Sequence, residues 1–405
     1  MTPSPNTPAA NGQDDSEPLL AGRPAAQASA AALGRALRVA VLHNVKDAAR
    51  IGRSEQPKDA LAELDNMRNV GDYVAALKGL GHDVIALEGN HELPARFAEA
   101  PVDICFNTCE GFRGDSREAQ APALLEMLGM PYTASKVLAL AVTLDKAMTK
   151  RVLAYHGLPT PRFQEFSDPT QPLDEALRQR LAAGRSLFVK PNREGTGMGI
   201  YGNARVHTEA EVRERVDYLL QAYRQTVLVE EYIEGRDVTC GVIGNLTSDG
   251  SPASLHLLPI SEVDHSVYPA GTEPFYSYKL KVDMADAYHC FCPAPLGDAL
   301  TAEVRRLTVE TFRVCGCLDV SRVDFRLDTH NNLQPMILEI NALPGLAHNS
   351  DMTLCADAEG WSHYQLLQAV LNTALARYGL LDDPQALPAP NYLAPAVAPW
   401  VTVAG

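Results

Sequence analysis

Three short apolar runs constrain the fold of this chain more than any other feature. They are Arg38-Val-Ala-Val-Leu-His43, Asp83-Val-Ile-Ala-Leu87 and Val102-Asp-Ile-Cys-Phe106. Each is apolar and short and, with its Val and Ile, reads as a buried strand. Between the first two lies a stretch with helical spacing, roughly Ala60–Leu80, which Gly81 stops. A second helical stretch, Glu118–Leu128, follows the third run. Strand and helix in alternation point to a parallel sheet with helices on its faces. In such sheets ligands bind beyond the carboxyl ends of the strands. The loop Asn107-Thr-Cys-Glu-Gly-Phe-Arg-Gly114 lies at one such end.

The pattern changes near Leu144. A helix over Asp145–Tyr155 is closed by Gly157, and the strand Leu187-Phe-Val-Lys190 runs into a Gly-rich loop. A helix over Glu209–Tyr223 and a strand over Val227–Glu230 follow. The next stretch holds strands near Val238–Gly244 and Ser254–Pro259, a long irregular segment, and a helix near Ala302–Cys315. It ends in a hairpin of Val320–Leu327 and Met336–Ile340, turned by Asp328-Thr-His-Asn-Asn332. The expected organisation is three α/β domains over residues 37–143, 144–232 and 233–381. They lie between two Pro-rich tails, 1–36 and 382–405, expected to be disordered. The first tail has no basic region followed by an apolar core, and Asp14, Asp15 and Glu17 oppose a transit peptide.

Charge excludes some partners. Among 405 residues, 35 are Lys or Arg and 50 are Asp or Glu, a net charge of −15. A general nucleic-acid binder needs a basic face, and an anionic membrane surface would repel this chain. No apolar run approaches the roughly 18 residues that span a bilayer. The eight cysteines include Cys290-x-Cys292 and Cys315-x-Cys317, neither with the spacing of a zinc knuckle or redox dithiol. They read as small buried hydrophobes, and the location expected is a reducing cytoplasm.

Three constellations carry chemistry. In the Gly-rich loop, Gly195, Gly197 and Gly199 alternate after the strand that ends in Lys190. Glycine lets backbone N–H groups approach an anion closely. The loop is neither G-x-G-x-x-G nor a Walker P-loop, so alone it suits a phosphate or an ordinary flexible hairpin. In the acidic hairpin, Arg322-Val-Asp324 and Glu339-Ile-Asn341 each put their outer pair on one strand face. Two carboxylates and a carboxamide are all-oxygen ligands suited to Mg²⁺. A solvated sheet face is the alternative, although the flanking Met336-Ile-Leu338 is apolar. Lastly, Lys146, Lys190 and Lys281 lie beside apolar or Gly-rich segments, where they suit either a nucleotide or the surface.

Together these features resemble the ATP-grasp superfamily, and most closely the D-alanine–D-alanine ligases. The resemblance runs from about residue 38 to about 378. Its most specific stretches are Leu144-Asp-Lys146, Val189-Lys-Pro-Asn-Arg-Glu-Gly-Thr-Gly-Met-Gly199, Val229-Glu-Glu-Tyr-Ile233 with Asp237, Ser321-Arg-Val-Asp324 and Leu338-Glu-Ile-Asn-Ala-Leu-Pro-Gly345. Pro131-Tyr-Thr-Ala-Ser135 matches the end of the family's first domain. The resemblance implies an ATP-grasp fold, mixed α/β (α+β), with the nucleotide between the second and third domains. It implies ATP and Mg²⁺ (or Mn²⁺) as cofactors, amino-acid-like substrates and a homodimer. Lys146, Lys190 and Lys281 match lysines on the ATP phosphates, beside Glu194, Gly195, Thr196 and Gly197 of the loop. Glu230 and Ile233 match the adenine hinge, and Asp237 the acid on the ribose. Asp324, Glu339 and Asn341 match the metal ligands. Arg322 and the Gly345 N–H match the oxyanion site, and Ser350 matches a hydroxyl that holds the acceptor carboxylate.

The family's donor pocket is altered. Its acid after the first strand has no match in His43-Asn-Val-Lys-Asp-Ala-Ala-Arg-Ile-Gly52. Its Tyr after the lid lysine is Val282, and its loop Ser is Thr196. Glu110, with Arg113, Asp115 and Arg117, is the candidate for a different donor pocket, and His43 suits a rim or core position. The function expected is an ATP-dependent carboxylate–amine ligase that works through an acyl phosphate; it either joins D-alanine to D-alanine for the cell wall or takes another donor, and the altered pocket favours the second. A non-catalytic nucleotide-binding protein on the same fold is the alternative. A protein kinase is disfavoured, since neither H-R-D nor D-F-G occurs. An acyl phosphate needs protection from water, and the stretch Ser261–Lys281 is the candidate lid.

Overall fold

The computed structural model describes residues 36–46, 57–269, 271–273, 275, 277–280, 289–381 and 387–392. Lys281, Val282 and residues 1–35 lie outside the described residues.

The first unit contains β1 (Arg38–His43), α1 (Met67–Gly79), β2 (Asp83–Glu88), α2 (Leu93–Glu99), β3 (Ile104–Thr108) and α3 (Gln120–Met127). The strands form a parallel sheet, as the alternation of strand and helix suggests, in the order β2-β1-β3. Helix α1 starts at Met67, later than the residue spacing suggests. Asn66 caps it by accepting from the Asn69 N–H at 3.0 Å. The residues before it turn instead, because Asp59 and Glu63 bond far across the molecule.

Helices α4 (Val137–Leu144) and α5 (Lys146–Tyr155) lead into β4 (Phe163–Phe166), α6 (Glu175–Ala182), β5 (Leu187–Pro191), β6 (Arg205–Val206), α7 (Glu209–Tyr223) and β7 (Val227–Glu231). The strands make an antiparallel sheet in the order β4-β7-β5-β6. Strand β4 and helix α6 are additions to the elements read from the sequence.

The last unit holds β8 (Gly235–Ile243), β9 (His256–Leu257), β10 (Ser261–Val263), β11 (Cys290–Phe291), α8 (Asp298–Val314), β12 (Val320–Asp328), β13 (Gln334–Asn341), α9 (Asp351–Ala358) and α10 (His363–Arg377). Its sheet has the order β11-β10-β8-β12-β13, with β9 beside β8. The expected strand over Ser254–Pro259 shrinks to His256 and Leu257.

Helix α10 packs back on the first unit. Leu366, Val370 and Leu371 of α10 share one core with Val39 and Val41 of β1 and Val70 and Leu77 of α1. Arg377 pins this return. It pairs with Asp319 at 2.7 Å and donates to the carbonyls of Tyr132 at 2.8 Å and Ala134 at 3.2 Å. Asn391 also docks, accepting from the Leu257 N–H at 2.8 Å. All eight cysteines are free thiols, most of them buried. Among the described residues, no helix is long and apolar enough to cross a membrane.

Candidate active site

Strand β5 ends in Lys190 and Pro191, and the Gly195–Gly199 loop follows it over a cleft between the second and third sheets. Of the residues singled out in the sequence, eleven line the cleft: Lys146, Lys190, Glu194, Gly195, Gly197, Glu230, Ile233, Asp237, Arg322, Asp324 and Glu339. A second cavity of about 360 Å³ adjoins it. Glu110, Thr196, Asn341, Gly345 and Ser350 line that cavity. The two hollows share Lys146, Gly195, Arg322, Glu339 and Asp351. Lys281 lies outside the described residues.

The register of β12 on β13 builds the common wall. It sets Asp324 opposite Glu339 and Arg322 opposite Asn341, so all four side chains share one face. A register shift just after Asp324 ends the regular pairing there. Arg322 grips Asp324 with two hydrogen bonds of 2.9 Å each and reaches Asp351 at 3.3 Å. Asn341 Nδ2 donates to Asp324 Oδ2 at 3.1 Å, and the Thr239 hydroxyl donates to Asp324 Oδ1. Burial works against the Arg322 charge, but Asp324 and Asp351 more than offset it and hold the guanidinium protonated.

Asp324, Glu339 and Asn341 therefore supply hard oxygen donors on one face of the hairpin, the chemistry that suits Mg²⁺. Among the described residues no three His, Cys, Asp or Glu side chains gather as a metal cage. Two carboxylates and one carboxamide fit an ion that takes its remaining ligands from phosphate and water.

The lysines are held by carboxylates. Lys146 Nζ donates to the Glu194 carbonyl at 2.6 Å and lies 3.2 Å from Glu339. Burial lowers its basicity, yet Glu339, Glu63 and Glu194 leave it above the usual lysine value. Lys190 pairs with Glu230 at 2.6 Å. The other oxygen of Glu230 is 2.8 Å from Lys150, a residue missed in the sequence. Lys150 is fully buried, and burial first, with Lys190 beside it, pulls its pKa down to about 8. Its signal was the four-residue spacing from Lys146, which puts both on one helix face. Farther along the cleft, Arg326 donates to the Ile233 carbonyl at 2.7 Å and pairs with Asp237 at 2.7 Å. His265 approaches the other Asp237 oxygen at 2.8 Å. Burial would raise the Asp237 pKa, but Arg326 and His265 pull it below the usual value.

The second cavity contains acids that the linear sequence did not disclose: Glu63, Asp65 and Glu118. Glu63 accepts from the Gly195 N–H and from Arg117. Arg117 also donates to the Arg193 carbonyl at 2.7 Å and pairs with Glu194 at 3.0 Å. Arg117 therefore braces the Gly-rich loop and does not line the cavity. Asp115 is an exposed partner of Arg193 at 3.3 Å, and Arg113 lines a different hollow. Of the four residues suggested for a new donor pocket, only Glu110 reaches it. His43 lies 3.2 Å from Glu88, outside the cavity lining. Ser350 caps α9 by accepting from the Thr353 N–H at 3.3 Å.

Comparison with known proteins agrees with this geometry. Residues 152–372 match the family described as "D-ala D-ala ligase C-terminus". The D-alanine–D-alanine ligase of Herminiimonas arsenicoxydans is 35% identical over 319 residues, which cover 78% of this chain and 89% of that one. The uncharacterized protein y4sG of Sinorhizobium fredii is 33% identical over 351 residues, covering 84% and 98%. In structure, the Bacillus anthracis D-alanine–D-alanine ligase complexed with ATP superposes with a TM-score of 0.63 at 22% identity, covering 85% of this chain and 99% of that one. The fold is thus ATP-grasp, and the chain belongs to the D-alanine–D-alanine ligase family.

Proposed function

We propose that this ATP-dependent ligase joins a carboxylate to an amine through an acyl phosphate, and that its donor is not D-alanine. The observation that carries the reading is the wall common to both hollows. Lys146, Arg322 and Glu339 face the nucleotide cleft and the substrate cavity at once. A phosphoryl group leaving ATP and a carboxylate accepting it would meet there.

The donor carboxylate oxygen attacks the terminal phosphorus of ATP, and ADP leaves. The acceptor amine then attacks the acyl carbon, phosphate leaves with the acyl oxygen, and the amine loses a proton. Lys146 and Lys190 neutralise phosphate charge. Arg322 and the Gly345 N–H hold the oxyanion of the second step, a contribution of about 3–4 kcal/mol per donor in such sites. Asp324, Glu339 and Asn341 would hold Mg²⁺, which supplies charge neutralisation on the phosphates when bound. Glu230 and Ile233 would take the adenine, Asp237 the ribose, and Ser350 the acceptor carboxylate. Residues 37–143, 144–232 and 233–381 are the proposed domains, with ATP between the last two, and a homodimer is the proposed assembly. The altered donor contacts, Thr196 and the acids Glu63, Asp65 and Glu110, support a donor other than D-alanine.

The test is phosphate release from ATP and Mg²⁺, with D-alanine and then a panel of other amino acids. Release is expected only when a carboxylate donor other than D-alanine is supplied, and Asp324→Ala and Lys190→Ala are expected to abolish it. Dipeptide formed from D-alanine alone would refute the donor reading. ATP binding with no release across the panel would favour the non-catalytic alternative.

A further inference from the structure

We infer that the donor of this ligase carries a second basic nitrogen, held by Glu110 and Glu118, next to an oxygen atom that accepts from Asn107 Nδ2. The inference rests on the reading of the 360 Å³ cavity as the donor site.

The cavity carries more acid than its own cations answer. Among the described residues six carboxylates line it, against three cationic side chains. Glu339 has Lys146 at 3.2 Å, Asp351 has Arg322 at 3.3 Å, and Glu63 has Arg117 behind the wall. Asp65 accepts from Asn69 at 2.8 Å. Glu110 and Glu118 remain, and among the described residues neither has a cation at ion-pair distance.

The backbone brings these two together on purpose-built geometry. Asn44 Oδ1 accepts from the Gly111 N–H at 2.9 Å and pins the loop just after Glu110. Gly111 sits at φ +73°, and a Cβ there would lie 2.4 Å from the Arg117 carbonyl oxygen. Only glycine permits that close return, which carries Glu118 back to the wall that holds Glu110.

Asn107 is an independent pointer. It lines the same cavity and is 2% exposed. Its N–H is satisfied by Thr133 at 2.9 Å, and its Oδ1 accepts from the Cys109 N–H at 3.2 Å. Among the described residues its Nδ2 has no partner. A buried donor left unpaired is costly, so a ligand oxygen is the natural acceptor.

Both acids resist ionising. Burial, then Glu63, pushes Glu118 up to about 8, and burial, then Glu118, pushes Glu110 well above the usual carboxylate range. A cation between them would reverse that penalty, whereas a neutral group would not. A bound metal is a poorer answer, because no three metal-ligating side chains gather among the described residues. The ligand class is an α-amino acid with an amino or guanidino group on its side chain.

The test uses the full chain and calorimetric binding of lysine, ornithine and 2,3-diaminopropionate of both hands. Their neutral matches are norleucine, norvaline and alanine. The dibasic acids are expected to bind at least about tenfold tighter, and Glu110→Gln and Glu118→Gln to remove most of that preference. Glu118→Asp is expected to keep part of it. Equal binding of dibasic and neutral acids by the unaltered protein, or binding of none, overturns the inference without recourse to variants. Phosphate release measured on the same acids separates the two readings. Selective binding without release supports the charge assignment and defeats the ligase reading. Release without charge preference does the reverse.

Discussion

Replacing Glu230 by Gln would strand two buried ammonium groups. Glu230 lies 2.8 Å from Lys150 and 2.6 Å from Lys190, and the three side chains are 3%, 0% and 6% exposed. At an effective dielectric near 20, each contact is worth about 6 kcal/mol before desolvation. Most of that offsets the burial of the charges. Breaking a buried pair from one side nonetheless costs about 3–5 kcal/mol, because the remaining charge is left uncompensated. One carboxylate serves two lysines here, so Glu230→Gln is expected to cost about 5 kcal/mol at pH 6. The lysines have an escape. Lys150 already titrates at about 8, chiefly from burial, and without Glu230 it would titrate lower still. A lysine depressed in the folded state destabilises below its folded pKa, and the penalty disappears as pH rises towards its unfolded value. The variant's deficit should therefore shrink between pH 6 and pH 9. Urea unfolding of both proteins at the two pH values measures it. A deficit under about 1 kcal/mol at pH 6, or one equal at both pH values, would refute the buried-triad argument.

Three further outcomes are expected. Arg377→Met should destabilise the protein by about 3–5 kcal/mol in urea unfolding, since Asp319 is 0% exposed and loses its cation; adding Asp319→Asn should recover part of the loss. Asp59→Asn should raise the KM for ATP about tenfold with a smaller change in kcat. The reason is that Asp59 accepts from the Gly199 N–H at 2.8 Å, Tyr201 at 2.7 Å and Tyr223 at 2.8 Å, and faster amide exchange of the loop should accompany the change. Glu118→Gln should change the melting temperature little at pH 5 and raise it increasingly up to about pH 8. The folded pKa of Glu118 is raised to about 8 by burial and Glu63, so the stability of its protonated form is present below the unfolded value and lost as pH rises through the folded one.

Some of this was legible along the chain because it is local. The i, i+2 spacing on β12 and β13 puts Arg322 with Asp324 and Glu339 with Asn341 on shared faces whatever the rest of the fold does. The alternation of strand and helix in the first unit pointed to a parallel sheet, while its strand order, β2-β1-β3, came only from the fold. The extent of α1 was not legible. Helical spacing persists through residues 60–66, but Asp59 and Glu63 find better partners on the Gly-rich loop than a helix would provide.

The sequence alone therefore determined the strand-helix alternation of the first unit, the Gly-rich loop and the acidic hairpin, since each depends on residues close along the chain. Only the tertiary structure decided which charges meet. Lys150 reaches Glu230 across 80 residues, Glu63 reaches Gly195 across 132, and Arg117 reaches Glu194 across 77. No periodicity encodes such pairs. They follow from how the three sheets pack, and from the cost of burying any of these charges without its partner.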